Sequence, residues 1–340
     1  MTIHEKFMRR CLELAQNGLG TTYPNPLVGS VIVHEGKIIG EGWHRKAGEP
    51  HAEVNAINSV KDTALLEKSA IYVNLEPCSH FGKTPPCCDL IISKKIPEII
   101  IGITDPHSKV AGEGIRRLQE AGKKVTIGVL EKDCSDINKR FFTFHNKKRP
   151  YIILKWAETP DGFIAPKTKS EIKPVWITNE TSRQLVHKWR SEEHAILIGT
   201  QTAVDDNPTL TTRDWAGKNP VRIVIDRHNR IPKENHIFDN QAETILISGT
   251  EIDFNENCAA QIAEYLYKRN IQSVIIEGGR KTLQTFIDAG FWDEARIFKG
   301  KIPFGDGVKA PDILGTISET HSISGDELLM LTNNDQHNYF

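Results

Sequence analysis

The chain has 340 residues, 39% of them hydrophobic and 26% charged, with 43 basic and 44 acidic side chains. That is material for about two domains of ordinary size, and the near-cancelled charge argues against general nucleic-acid binding, which leaves a basic surplus. No apolar run approaches the roughly 18 residues of a membrane span, and Glu5, Lys6, Arg9, Arg10 and Glu13 interrupt any signal-peptide core, so a cytoplasmic address is expected. The six cysteines are then expected reduced, and clustered ones read as metal ligands before disulfides.

In chain order, Lys6–Asn17 sets Phe7, Met8, Cys11, Leu12 and Ala15 on one helical stripe. Val28–Val33, a Glu35-Gly36 turn and Ile38–Trp43 read as a hairpin. Pro50 suits the start of a helix over His51–Val60. Strands are predicted at Ala70–Leu75, Glu98–Ile103 and Lys123–Val129, separated by helices at Cys87–Lys95 and Glu113–Ala121. One helix over Lys132–Phe144 leads into the basic stretch 145–150, and a new apolar strand, Tyr151–Trp156, restarts the pattern. Further strands fall near Ala195–Gly199, Val221–Asp226, Glu243–Ser248, Ser273–Ile276 and Glu294–Lys299, with helices at Thr181–Arg190, Asn257–Arg269 and Thr282–Ala289. The alternation predicts two α/β domains with largely parallel sheets, 1–147 and 148–340, and a frayed polar tail over Asn333–Phe340.

Three pieces of the first half carry chemistry: His51-Ala52-Glu53, Pro77-Cys78 and Pro85-Pro86-Cys87. One imidazole and two thiolates leave a fourth tetrahedral position, as in a catalytic zinc site. The histidine and Glu53 lie about 200° apart on a regular helix, so they converge only at its first turn. Cys78 and Cys87 each follow a proline and read as openings of helices whose dipoles favour thiolate. Taken singly, each residue is better explained as packing or chance, and eight residues separate the cysteines where a deaminase signature commonly has two.

The run Asn74-Leu75-Glu76-Pro77-Cys78-Ser79-His80-Phe81-Gly82-Lys83-Thr84-Pro85-Pro86-Cys87 nevertheless resembles the metal loop of the riboflavin-biosynthesis deaminases. Pro24-Asn25-Pro26-Leu27-Val28-Gly29, Gly42-Trp43-His44 and Pro50-His51-Ala52-Glu53 fit the same family. The resemblance implies a cytidine-deaminase-like α/β/α fold, Zn2+ on His51, Cys78 and Cys87, and Glu53 as general acid and base. It implies a phosphorylated pyrimidine substrate surrounded by Asn25, His44, His80, Lys83 and Asp105. His107 stands where the family commonly has asparagine. Cys88 is left out of the metal set, and Cys11, Cys134 and Cys258 read as core or surface cysteines.

Gly112-Glu113-Gly114, still in the first half, lacks a third glycine and follows a polar loop rather than a strand, so it is no dinucleotide fingerprint. The better phosphate site is the strand Ser273–Ile276 running into Gly278-Gly279 and a helix. Arg149-Pro150-Tyr151, Lys155-Trp156-Ala157, Asp161-Gly162, Trp176-Ile177-Thr178, Ala195–Gly199, and Thr202 with Asp205-Asp206-Asn207-Pro208 follow in order. This series resembles the reductase half of the bifunctional deaminase–reductases, with a dihydrofolate-reductase-like α/β fold. The resemblance implies NADPH near Glu158, Trp176, Thr202, Asp206, Arg227, Gly279, Arg280, Lys281, Thr282, Leu283, Gln284 and Thr285. It puts substrate near Pro174, Arg190, Leu210, Arg213 and Glu277, with Lys155 near the chemistry. Arg227 replaces a common serine, and Thr159-Pro160 precedes Asp161 where serine is usual. Arg190 and Arg213 fit a phosphate through the planar guanidinium fork. Lys155, inside an apolar run, is costly unless it functions.

Three other readings stay open on the residues: a nucleic-acid-editing zinc deaminase with an unrelated tail, a non-enzymatic domain pair that keeps the fold as a binding or regulatory module, and a zinc deaminase with a non-catalytic C-terminal binding domain. No nucleic acid or membrane partner is expected, and a homodimer or tetramer is.

Overall fold

Thr2 and Glu5 close a reciprocal capping box at the start of α1 (Ile3–Gln16), whose stripe Phe7, Met8, Cys11, Leu14 and Ala15 is buried. This computed structural model describes residues 1–79, 85–105 and 112–333. The chain forms two compact units, one over Met1–Lys147 and a second beginning at Lys148.

In the first unit α1 leads to β1 (Gly29–His34), β2 (Lys37–Trp43), α2 (Ala52–Asn58), β3 (Ala70–Leu75), α3 (Cys87–Ser93), β4 (Glu98–Ile103), α4 (Glu113–Glu120), β5 (Lys124–Ile127), α5 (Glu131–Ile137) and α6 (Lys139–Lys147). The sheet order is β2-β1-β3-β4-β5. It is mixed: β1 runs antiparallel to β2 and β3, while β3, β4 and β5 are parallel. Strand alternation divides the apolar side chains between two layers. Ile32, Ile71, Val73, Ile99 and Ile101 meet Ala56, Ile91 and Leu118 of α2, α3 and α4. Val31, Val33, Tyr72 and Ile100 meet Phe7, Met8 and Cys11 of α1, with Phe142 of α6. The predicted helix over Lys132–Phe144 is two helices, broken at Asn138. The Asn138 amide accepts from the Leu27 N–H at 2.8 Å and donates to the Leu27 carbonyl at 2.9 Å. Those bonds outweigh continued helix, a competition typical of asparagine.

The second unit contains β6 (Tyr151–Glu158), β7 (Phe163–Ala165), α7 (Glu180–Glu192), β8 (Ala195–Gly199), α8 (Thr200–Asp206), β9 (Val221–Ile225), β10 (Thr244–Ile247), α9 (Cys258–Lys268), β11 (Ser273–Gly278), α10 (Arg280–Asp288), β12 (Glu294–Lys299), β13 (Val308–Lys309), β14 (Thr316–Ile323) and β15 (Asp326–Thr332). Its main sheet runs β10-β9-β8-β11-β6-β12-β15-β14. The six strands from β10 to β12 are parallel, and β15 and β14 add as an antiparallel hairpin. The core joins Ile152, Leu154, Leu197, Ile223 and Ile276 of the sheet to Ile262 and Leu266 of α9 and Leu283 and Phe286 of α10. Hydrophobic pattern alone did not reveal α8, the short β7–β13 pair or the final hairpin, whose β14 is exposed at nearly every position. Asn333, expected to fray, is buried and donates to the Trp292 carbonyl at 2.9 Å. The rest of that tail lies outside the described residues. Among those described, no helix is long and apolar enough to cross a membrane.

Candidate active sites in the two halves

His51 is the N-cap of α2, with extended φ −70° and ψ 165°. Because it stands outside the helix, the angular conflict with Glu53 disappears, and both side chains serve one site. Cys87 opens α3, whereas Cys78 lies in coil beyond β3 and opens no helix, contrary to expectation. The expected ligand atoms of His51, Cys78 and Cys87 lie within 4.8 Å of one another. His51 Nδ1 is 3.5 Å from Cys78 Sγ and 3.4 Å from Cys87 Sγ. Tetrahedral Zn–N and Zn–S bonds place such atoms about 3.5 Å apart, so the residues fit zinc. The pair of sulfurs is polarised: a hydrogen bond from Cys87 lowers the Cys78 thiol to about 4, and the same bond raises Cys87. Glu53 is buried beside them, and burial, then the Cys78 charge, pushes its carboxyl up to about 7.

The wall next to His51 is also built. The Asn25 amide donates to His44 Nε2 at 3.0 Å, so His44 carries its proton on Nδ1 and donates it to the Pro50 carbonyl at 3.2 Å. The His44 ring meets His51 edge-on, with centroids 5.4 Å apart, and burial lowers its pKa. Asp105 follows β4, its N–H bonded to Glu76. His80, Lys83 and His107 lie outside the described residues.

In the second unit β6 and β11 are parallel neighbours that carry Lys155 and Glu277. Arg190 on α7 pairs with Glu277 at 2.9 Å and donates to the Thr211 carbonyl at 3.3 Å. Burial opposes ionisation of Glu277, but Arg190 and Lys155 hold its carboxyl at about 2. Burial lowers the Lys155 pKa, against the pull of Glu277. Three Arg190 donors are therefore engaged within the protein. Arg213, half-exposed, makes one 3.4 Å bond to Thr209 and lies 3.8 Å from Asp214. Leu210 is buried with φ 53°. Pro174 lies on the loop ahead of α7 and is half-buried there.

An open cleft of about 1490 Å3 lies beside the ends of β8 and β11. Thr202, Asp206, Arg227, Gly279, Arg280, Lys281, Thr282, Gln284 and Thr285 all line it. A Cβ on Gly199 would come within 2.5 Å of Thr282 Oγ1, and one on Gly279 within 3.2 Å of Thr202 Oγ1. Both glycines therefore stand where a side chain would crowd a threonine that lines the cleft, at the carboxyl ends of parallel strands and ahead of α10, where a phosphate is well held. The residues fit a dinucleotide. Asp206 is engaged by Lys169. Leu283 is wholly inside the core, so only its backbone is available to a cofactor. Glu158 accepts from the Trp156 indole, and Trp176 is exposed under the Arg183 guanidinium.

Sequence reasoning missed His187. It is buried on α7, 3.1 Å from Asp214, with Nδ1 unpartnered, and burial with Arg190 and Arg213 lowers it to about 4. Its signal was helical spacing: positions 183, 187 and 190 share a face.

One unit with a ligand set fit for zinc beside a buried carboxyl, and a second with a dinucleotide cleft and a separate lysine–carboxylate pair, define the class: a zinc deaminase and a reductase on one chain. Residues 1–103 match the cytidine and deoxycytidylate deaminase zinc-binding region, and residues 150–321 match the RibD C-terminal domain. The chain is 38% identical to the riboflavin biosynthesis protein RibD of Aquifex aeolicus, over 92% of this chain and 90% of that one. It is 36% identical to the Escherichia coli K12 protein of the same name, over 86% of each. The structure resembles the diaminohydroxyphosphoribosylaminopyrimidine deaminase/5-amino-6-(5-phosphoribosylamino)uracil reductase of Thermotoga maritima with a TM-score of 0.88 at 35% identity, covering 97% and 99% of the two chains. The chain belongs to the family of bifunctional riboflavin-biosynthesis deaminase–reductases. It is an enzyme with a zinc-binding deaminase region and an NADPH-dependent reductase domain, and a merely binding C-terminal domain is not favoured.

Proposed function

We propose that residues 1–147 deaminate a pyrimidine bearing a phosphoribosylamino group and that residues 148–340 then reduce its ribosyl chain to ribityl. The substrate class is the one named for the Thermotoga relative. The observation that carries the reading is the His51, Cys78 and Cys87 cluster with Glu53 buried beside it.

His51, Cys78 and Cys87 would hold zinc, which lowers the pKa of water toward neutrality. Glu53, buried beside them, would move the proton, taking it from water as the oxygen bonds to the ring carbon bearing the amine and giving it to the nitrogen, which leaves as ammonia. Asn25, His44 and Asp105 orient the base and sugar, and His80 and Lys83 complete the substrate contacts. In the second half NADPH supplies the hydride. Lys155, its pKa lowered by burial, delivers a proton to the sugar oxygen as the ring opens, and Glu277 orients the sugar. Arg213 meets the substrate phosphate, and Arg190 assists while fixing Glu277. Pro174 and Leu210 flank the substrate. Glu158, Trp176, Thr202, Asp206, Arg227 and the Gly279–Thr285 turn hold the cofactor. We place the enzyme in the cytoplasm as a homodimer or tetramer. The exposed edge strand β14 supports self-association. Zinc analysis with mass identification of products from the diaminopyrimidine phosphate, with and without NADPH, tests the assignment.

A further inference from the structure

Just past the end of β3, on the way to Cys78, stands a second buried carboxylate, Glu76, with only 4% of its surface exposed. It accepts four backbone N–H bonds. Oε2 takes those of Asp105 at 3.1 Å and Gly112 at 3.0 Å, and Oε1 takes those of Gly114 at 2.9 Å and Ile115 at 3.2 Å. Two of these are orphan donors of the first turn of α4, where a negative charge is favoured. Gly114 allows the approach: a Cβ there would come within 2.2 Å of the Pro77 carbonyl and 3.2 Å of Glu76 Oε1. Arg117, one turn further along α4, donates to the Ser79 carbonyl at 2.7 Å and pairs with Asp89 at 2.7 Å. The start of α4 is thus tied at one point to the residue beside Cys78 and at another to the first turn of the helix that Cys87 opens.

We infer that Glu76 is a positioning residue for deamination: its carboxylate gathers the backbone at Asp105 and Gly112 to one oxygen and sets Asp105 at a fixed distance from the metal loop. Glu76 reaches substrate only through Asp105, so this role rests on the proposed contact between Asp105 and the pyrimidine. A glutamate is required because only a carboxylate presents acceptors to all four donors. A glutamine amide would turn an NH2 toward two of them, leaving buried donors unmet.

The test uses the full-length zinc-loaded protein and the variants E76Q, D105A and E76Q/D105A. Zinc content, KM and kcat for deamination, and NADPH-dependent turnover of the already deaminated pyrimidine are measured for each. E76Q keeps its zinc and its reductase rate, while KM for deamination rises on the order of tenfold and kcat changes less. D105A raises KM similarly, and the double variant adds little to either single one, because both act at one contact. Loss of zinc from E76Q, a fall in kcat at constant KM, or additive effects in the double variant would overturn the positioning role. A raised KM in D105A beside an unchanged KM in E76Q overturns it alone, whereas an unchanged KM in D105A removes Asp105 from the substrate contacts.

Discussion

Glu53 and Lys155 are both ionisable groups shifted by burial, and each is expected to carry protons in its half of the chain. Replacing Glu53 with glutamine keeps its size and removes the base. Deamination should fall by about 10²–10⁴-fold, the usual contribution of a general acid–base group, with one zinc retained. Metal analysis alongside the rate checks this, and loss of metal would make Glu53 a structural part of the site. In the reductase half the two arginines divide their work. Arg213→Ala should raise KM for the substrate by about 10–100-fold, as one charge-assisted contact predicts, with NADPH affinity little changed. Arg190→Ala should lower kcat as well, since Glu277 loses its partner. Titration of both ligands against both variants separates these effects, and a collapse of NADPH affinity alone would exchange the two pockets. The metal set was legible through the fourteen-residue run Asn74–Cys87 taken with His51-Ala52-Glu53, since each piece alone is better explained by packing or chance. The Arg190–Glu277 pair joins residues 87 positions apart, and periodicity says nothing about which carboxylate a distant arginine meets.

Among the elements, two places show what local pattern conceals. Asn138 looks like one more polar position in a long helix, yet its amide clamps both backbone groups of Leu27, next to the Pro24-Asn25-Pro26 turn. Asn138→Ala should cost about 1–3 kcal/mol, since it leaves the buried Leu27 N–H unmet while the carbonyl keeps its bond from Asn74. Denaturant titration of the variant measures the loss, and an unchanged midpoint would contradict the clamp. His194 precedes β8, and its Nδ1 accepts from the Gln272 N–H at 3.3 Å, which requires a neutral ring. Burial lowers its pKa to about 4, and His187 is likewise lowered to about 4. Both folded values lie below the ordinary histidine value of about 6.5. Protonation therefore favours the unfolded chain: the stability is fully present above pH ~6.5 and is lost as pH falls toward 4. The urea midpoint of the reductase half should drop across that window, and His194→Asn, which still offers an acceptor, should flatten the drop. A slope unaltered by that change would show that His194 is not titrating. The strands of the parallel core were legible as apolar runs, but β14, with little to bury, gave no hydrophobic signal.

At the scale of the whole molecule, two units each have their own sheet and core, so the two chemistries should be separable by what each requires. A chelator that strips zinc should abolish ammonia release and leave reduction of the already deaminated pyrimidine intact. The most direct test of the central claim is product identification by mass from the full-length protein and the diaminopyrimidine phosphate. Without NADPH the account predicts a single product in which one amine has become a carbonyl oxygen. With NADPH it predicts the same product carrying two further hydrogens on the sugar chain, and neither product from Glu53→Gln. Reduction without prior deamination, or an NADPH-independent product with its amine intact, would contradict it.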